Sequence, residues 1–268
     1  MMDSRTMNSE LELKKLILDI GNRLWTRGYI AANDGNISVR MSDSEILTTP
    51  TGVSKGFMSQ EMIIKINMEG EVISPNNRYR PSSEVKMHIE IYKQREDVGA
   101  VVHAHPPYST SFAVAGIPFD SFALPEAIMT LGAVPIAPYG TPSTSEIPDS
   151  IIPLIQNSDA VLLANHGALT LGIDLITAYH RMETLEHTAN IIFLAMGLGN
   201  VNRIPEEQID KLMEIRDQMN IPGKVDASSA SGYCLEESFG MQAKGNSMTE
   251  GLIETITKRV LKRLKQTE

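Results

Sequence analysis

An α/β or α+β fold is predicted for this chain by three observations. Segments with apolar residues at three- and four-residue steps recur along it, short apolar runs fall between them, and no segment repeats another. Most of the short runs stop at once in a turn that carries Gly, Pro or His.

Taken in order, Leu13, Leu16, Ile17, Ile20 and Leu24 keep helical spacing between Glu10 and Arg27, so an amphipathic opening helix is expected, ending near Gly28. Asn36 to Arg40 and Glu45 to Thr49 alternate polar and apolar residues around the turn-forming Ser42-Asp43-Ser44, which is the pattern of a hairpin. Ile63 to Ile66 and Glu71 to Ile73 form a weaker pair across Glu69-Gly70. Pro81-Ser82-Ser83-Glu84 suits the start of a helix running to about Arg95, because the first turn needs no proline N–H and serine caps free amides. Gly99 to Val102 reads as a buried strand leading into His103-Ala104-His105, and Pro106-Pro107 ends it because proline cannot donate to a ladder. Ala133 to Ala137 and Ala160 to Ala164 are further strand-like runs, followed by turns at Tyr139-Gly140 and Asn165-His166-Gly167. A long helix is expected over roughly Leu175 to Met196.

The composition changes after Pro222. Residues 1–222 read as one domain, 223–246 as a flexible Ser-, Gly- and Ala-rich linker, and 247–268 as a separate amphipathic helix. In that helix Leu252, Ile256, Val260 and Leu264 fall every fourth position, Ser247 and Glu250 match a capping box, and five basic residues oppose the apolar stripe.

Of the 268 residues, 42% are hydrophobic and 21% charged, with a net charge of -9, which excludes disorder throughout. The acidic balance argues against nucleic acid and anionic membranes as partners, but leaves room for a small anion held by backbone amides. Cys234 is the single cysteine, so no intrachain disulfide or zinc finger can form. With a polar N-terminal stretch and no apolar run of membrane-spanning length, a cytoplasmic protein is expected.

Of six histidines, three sit in or beside turns that follow apolar runs, where α/β folds expose functional side chains. His103 and His105 are two apart, so on a strand end their rings share a side and can converge on one ion. His166 adds a third imidazole in a similar turn, and Glu84 could add a carboxylate ligand or a proton-transfer group. Glu183 and His187, an i,i+4 pair, read as a surface or interface pair, and Lys55, close to Thr51-Gly52, could help hold an anion but reads first as a solvated surface lysine.

Five ordered motifs make the sequence recognisable: Asn33-Asp34-Gly35-Asn36-Ile37-Ser38, Thr49-Pro50-Thr51-Gly52, Pro81-Ser82-Ser83-Glu84, Val102-His103-Ala104-His105 and Asn165-His166-Gly167. Over roughly the first 220 residues the chain resembles the class II aldolase and aldose-epimerase family. The resemblance implies a three-layer α/β/α domain with a central, largely antiparallel sheet. It implies a divalent metal ion, zinc above all, on His103, His105 and His166, with Glu84 as fourth ligand and acid/base. It places a substrate phosphate against Gly35, Asn36, Thr51, Gly52, Ser82 and Ser83, and it implies a homotetramer.

The expected reaction is cleavage of an L-ketose 1-phosphate, such as L-fuculose or L-rhamnulose 1-phosphate, to dihydroxyacetone phosphate and L-lactaldehyde. A cation chelated by substrate oxygens would stabilise the enediolate left by the broken bond. A 5-deoxypentulose 1-phosphate as substrate and a pentulose-phosphate 4-epimerase are the alternatives; Glu84 favours cleavage, because the epimerase motif ends in aspartate. One departure stands out. Where family aldolases carry a tyrosine from a neighbouring subunit, this chain has Leu124, so Glu126 is the candidate proton donor on the aldehyde side. The helix at 247–268 resembles encapsulation peptides, which implies a shell protein of a bacterial microcompartment as partner.

Overall fold

The computed structural model describes residues 9–74, 78–120, 122–141, 144 and 146–227. The expected C-terminal helix, and all of the expected linker beyond 227, lie outside the described residues.

Helix α1 (Glu10–Thr26) opens with a capping box in which Ser9 and Glu12 bond reciprocally, and it buries Ile17, Ile20 and Leu24 as its spacing predicts. The hairpin follows as β1 (Asn36–Arg40) and β2 (Glu45–Thr48), then β3 (Ile64–Asn67). Helix α2 (Val85–Gln94), with Glu84 at its N-cap position, precedes β4 (Ala100–Ala104). The chain continues through α3 (Pro107–Ala115), β5 (Phe119–Asp120), α4 (Pro125–Thr130), β6 (Ala133–Val134), β7 (Ile136–Ala137) and α5 (Glu146–Ile155). It closes with β8 (Ala160–Leu163), β9 (Gly167–Gly172), α6 (Leu175–Leu198) and α7 (Glu206–Gln218).

Seven strands form one sheet in the order β3-β2-β1-β4-β9-β8-β7. Every pairing in it is antiparallel except β7 with β8. The two faces of the strands feed two cores. Ala100, Val102 and Ala104 of β4 with Ala160 and Leu162 of β8 pack under α1, α3 and α6. Val101, Val161 and Leu163 pack with α2 and α5 on the other face. Alternation along a strand buried on both sides thus accounts for the continuous apolar runs and for the three layers.

Two differences from the sequence reading have clear causes. The run Ala133 to Ala137 is split at Pro135, which has no N–H to donate. Its first half pairs with β5 in a separate two-stranded sheet, and its second half joins the main sheet beside β8. The Asn165-His166-Gly167 turn does not end the local sheet either, because Gly167 begins β9, a central strand between β4 and β8. Helices α3 and α4 each carry proline in the first turn, a start signal beyond the helices that the apolar spacing predicts.

Residues 223–227, expected at the head of the linker, run against the domain. The Ala133 amide donates to the Asp226 carbonyl, and Lys224 exchanges bonds with Asp159 through its amide and carbonyl. Among the described residues no helix is long and apolar enough to cross a membrane.

Candidate metal centre

Adjacent parts of the central sheet deliver the three histidines. His103 lies in β4 opposite Asn36 of β1 and Leu169 of β9. His105 follows just past the strand end, where its amide donates to the Tyr29 carbonyl. His166 is in the tight turn joining β8 to β9, which Asn165 allows by adopting φ 57. The glycine after it is required by close approach: a Cβ at Gly167 would stand 2.5 Å from Cδ2 of His105 and 2.6 Å from the Ala104 carbonyl oxygen.

The three rings form a triangle with centroids 5.0, 4.8 and 5.0 Å apart, each pair tilted edge to face. One ring nitrogen from each lies within 4.8 Å of the others. His103 Nδ1 donates to the Ala168 carbonyl at 2.9 Å, which fixes the tautomer and leaves Nε2 with its lone pair. That Nε2 stands 3.2 Å from Nε2 of His105. Asp34 Oδ2 lies 3.6 Å from His105 Nδ1, on the far side of that ring.

Glu84 closes the cluster. Its Oε2 accepts from Asn36 Nδ2 at 2.7 Å, and its Oε1 lies 3.1 Å from His166 Nε2. Oε1 is buried without a hydrogen-bond partner, as are Asn36 Oδ1 and His166 Nδ1. Burial holds His103 down to about 3, and its histidine neighbours push the same way. Burial and then His166 also lower His105, against Asp34. For Glu84 burial acts upward, but His103 and His166 outweigh it and hold the carboxyl well below the ordinary range.

Three imidazoles converging beside a carboxylate whose Oε1 is buried without a hydrogen bond fit a divalent ion. Three imidazole nitrogens, with a carboxylate oxygen beside them, are a donor set that zinc accepts. His103, His105, His166 and Glu84 are therefore the residues that would hold it.

Glu84 is placed by a polar seam between β1 and α2. Asn36, Ser38 and Arg40 share one face of the strand, and Glu84, His88 and Tyr92 share one stripe of the helix. Ser38 Oγ bonds His88 Nδ1 at 2.7 Å and the Tyr92 hydroxyl at 2.8 Å, while Arg40 donates to the Tyr92 carbonyl. His88 is wholly buried and held down to about 4 by burial, against Glu84. In the sequence Ser38 stands only as part of a motif and His88 only as a packing or surface histidine; the matching two- and four-residue periods are the signal that joins them.

The phosphate candidates come together. Asn36 Nδ2 lies 3.5 Å from Ser82 Oγ, Pro50 bridges Pro81, and the Thr51 amide donates to the Arg80 carbonyl at 2.9 Å. Gly35, Asn36, Thr51, Gly52, Ser82 and Ser83 thus belong to three neighbouring segments beside Glu84. Glu126 is exposed on the first turn of α4 and is not among the groups that converge with the histidines. Leu124 occupies the N-cap position of α4.

Glu183 bonds Arg27 Nε and the Tyr179 hydroxyl, both at 2.5 Å, rather than His187. Its neighbour Glu186 is buried and accepts the amides of Tyr108 and Ser109, capping α3 just after the His103-Ala104-His105 segment. Lys55, expected to be solvated, is only 2% exposed.

A family model for the class II aldolase and adducin N-terminal domain matches residues 15–193. The 3-oxo-tetronate 4-phosphate decarboxylase of Haemophilus influenzae is 33% identical over 193 residues, covering 70% of this chain and 90% of its own. The L-fuculose phosphate aldolase of Methanococcus vannielii is 34% identical over 190 residues, covering 70% of this chain and 98% of its own. The crystal structure of YgbL from Klebsiella pneumoniae matches at TM-score 0.70 and 31% identity, over 76% of this chain and 99% of that one.

Proposed function

The chain belongs to the class II aldolase and adducin N-terminal domain family, and from that premise we propose that it is a zinc-dependent carbon–carbon lyase. It cleaves an L-ketose 1-phosphate, such as L-fuculose or L-rhamnulose 1-phosphate, to dihydroxyacetone phosphate and L-lactaldehyde. The observation that carries this reading is the convergence of three imidazoles beside Glu84, whose Oε1 is buried without a hydrogen bond.

When bound, the ion supplies a Lewis acid for the charge that develops on the substrate oxygens as the carbon–carbon bond breaks. Gly35, Asn36, Thr51, Gly52, Ser82 and Ser83 bind and orient the phosphate through amides and hydroxyls. Glu84 is ionised at rest, so it is set to accept a proton. In the condensation direction it takes one from the triose carbon, and cleavage returns that proton to the same carbon. Asn36, bonded to Oε2, directs the free Oε1 toward this exchange.

Departure of an aldehyde also requires loss of a hydroxyl proton. Glu126, exposed and outside the cluster of its own chain, serves the site of a neighbouring copy in a homotetramer. Leu124 and the similarity to 3-oxo-tetronate 4-phosphate decarboxylases favour a second reading, loss of carbon dioxide from a phosphorylated 3-oxo acid. That reaction leaves the same charge on the triose fragment and needs no proton acceptor on the departing side, because the carboxylate is already ionised.

The test is to incubate the zinc-loaded full chain with a panel of ketose 1-phosphates and a 3-oxo-tetronate 4-phosphate, assaying dihydroxyacetone phosphate, aldehyde and carbon dioxide. Triose with aldehyde supports the aldolase, triose with carbon dioxide selects the decarboxylase, and no triose from any substrate rejects both. Glu126→Gln should slow aldehyde release and leave carbon dioxide release unchanged. The segment 247–268 we assign to docking on a microcompartment shell protein, on the strength of its apolar stripe and basic face. Deleting Met248 to Glu268 should leave activity intact and abolish co-purification with shell proteins; unchanged co-purification rejects the assignment.

A further inference from the structure

Lys55 is a buried cation that the chemistry above does not use. It lies on the single helical turn Lys55–Phe57, three residues after Gly52, and its backbone is rigidly seated. The Lys55 carbonyl occupies the space a side chain at Gly21 would need, and Gly56 lies against the Trp25 ring. From this base Nζ donates to the Asn33 carbonyl at 2.5 Å. Among the described residues no ion pair joins it to a carboxylate. Burial lowers its pKa to about 8 while Asp34 and Glu84 pull upward, so it remains mainly charged at neutral pH.

A desolvated ammonium without an ion-pair partner is costly, and a methionine of similar length would avoid the cost. What distinguishes the place is the turn it holds. Asn33 to Asn36 leads into β1 and carries the amides of Gly35 and Asn36, with Asp34 in the turn and Glu84 bonded to Asn36. A phosphate dianion brought to those amides would meet two carboxylates, and Lys55 is a buried cation close enough for both to pull on it.

We propose that Lys55 is a positioning residue for the substrate phosphate: it clamps the Asn33 carbonyl and offsets Asp34 and Glu84, so that the Asn33–Asn36 turn can receive a dianion. The proposal rests on the reading that Gly35, Asn36, Thr51, Gly52, Ser82 and Ser83 hold that phosphate. Lys55 need not touch the substrate, because both the clamp and the field act through the turn.

The test is calorimetric titration of the zinc-loaded full chain with inorganic phosphate. The S82A/S83A double variant tests the pocket. Lys55→Gln keeps a donor for Asn33 but removes the charge, Lys55→Met removes both, and Lys55→Arg keeps the charge. Lys55→Gln and Lys55→Met should each weaken phosphate binding about tenfold or more, with zinc content unchanged, and Lys55→Arg should restore it to within about threefold. With phosphorylated substrate, Lys55→Gln should raise KM more than it lowers kcat. If Lys55→Gln binds phosphate like the wild type while S82A/S83A does not, Lys55 is a neutral peg and the proposal fails alone. Loss of zinc from Lys55→Gln in step with phosphate affinity would also overturn it, as a general support of the centre. If S82A/S83A binds phosphate normally, the reading of the pocket itself fails.

Discussion

Two carboxylates in this domain, Asp159 buried and Glu84 half-buried, solve the same problem in opposite ways. Asp159 is 3% exposed and receives Arg95 Nη2 at 2.8 Å, Arg181 Nη1 at 3.1 Å and the Lys224 amide at 2.9 Å. The arginines also donate to Asp97 and to the carbonyls of Ile155, Leu171 and Pro222. Nearby, Arg216 donates to the carbonyls of Met129 and Gly223. Around Glu84, by contrast, Glu84 Oε1, Asn36 Oδ1, His88 Nε2 and His166 Nδ1 are all buried without hydrogen bonds. A closed network fixes the chain, here the segment 222–227, to the core. An open one, whose buried acceptors and ring nitrogens lack hydrogen bonds, keeps donor atoms in reserve for a further group.

The contrast can be broken most sharply at a ligand. His105→Ala should remove bound zinc and lower cleavage by more than about a hundredfold, read by metal analysis and triose assay. Full activity with full metal would end the assignment. Reciprocal changes at the two carboxylates come next. Asp159→Ala strands two buried guanidinium groups and should cost about 3–5 kcal/mol in denaturant unfolding of the chain. Glu84→Gln should cost less than about 1 kcal/mol while lowering turnover about a hundredfold or more. Equal stability losses at both would show that the two networks do not differ in kind.

Acid sharpens the comparison further. His103 and His88 are held down to about 3 and about 4 from an ordinary 6.5, so between those values the unfolded chain binds more protons than the folded one. Their contribution to stability is complete above 6.5 and is lost as the pH falls toward their folded values. Metal-free protein should therefore unfold more easily at pH 5 than at pH 7, by on the order of 1–3 kcal/mol, and His88→Asn should flatten the slope. Zinc should release over the same interval as the imidazoles protonate. The smallest effect is expected at Gly167, where Gly167→Ala pushes the His105 ring aside and should weaken zinc binding about tenfold.

Much of the candidate centre was legible because the residues that converge there follow local rules. His103 and His105 share a side through the two-residue strand period, and a turn after an apolar run exposes His166. Glu84 was legible as the last residue before a helix that Pro81-Ser82-Ser83 announces. The burial of Lys55 was not legible, since it depends on how its turn packs on α1, where the Lys55 carbonyl meets Gly21 and Gly56 meets Trp25, some thirty residues away. Nor was the Asp159 network, whose partners come from Arg95, Arg181 and Lys224, far apart in the chain.

The sequence by itself therefore determined the periods: which residues alternate on strands, which line helices, where turns break the chain, and which side chains could ligate an ion. The tertiary structure decided what those periods meet. It set β9 between β4 and β8, split the run at Pro135 between two sheets, drew the phosphate candidates beside Glu84, and separated the satisfied carboxylate from the open one. The physical reason is that hydrogen-bond satisfaction and desolvation are sums over neighbours from distant segments, which local patterning does not encode.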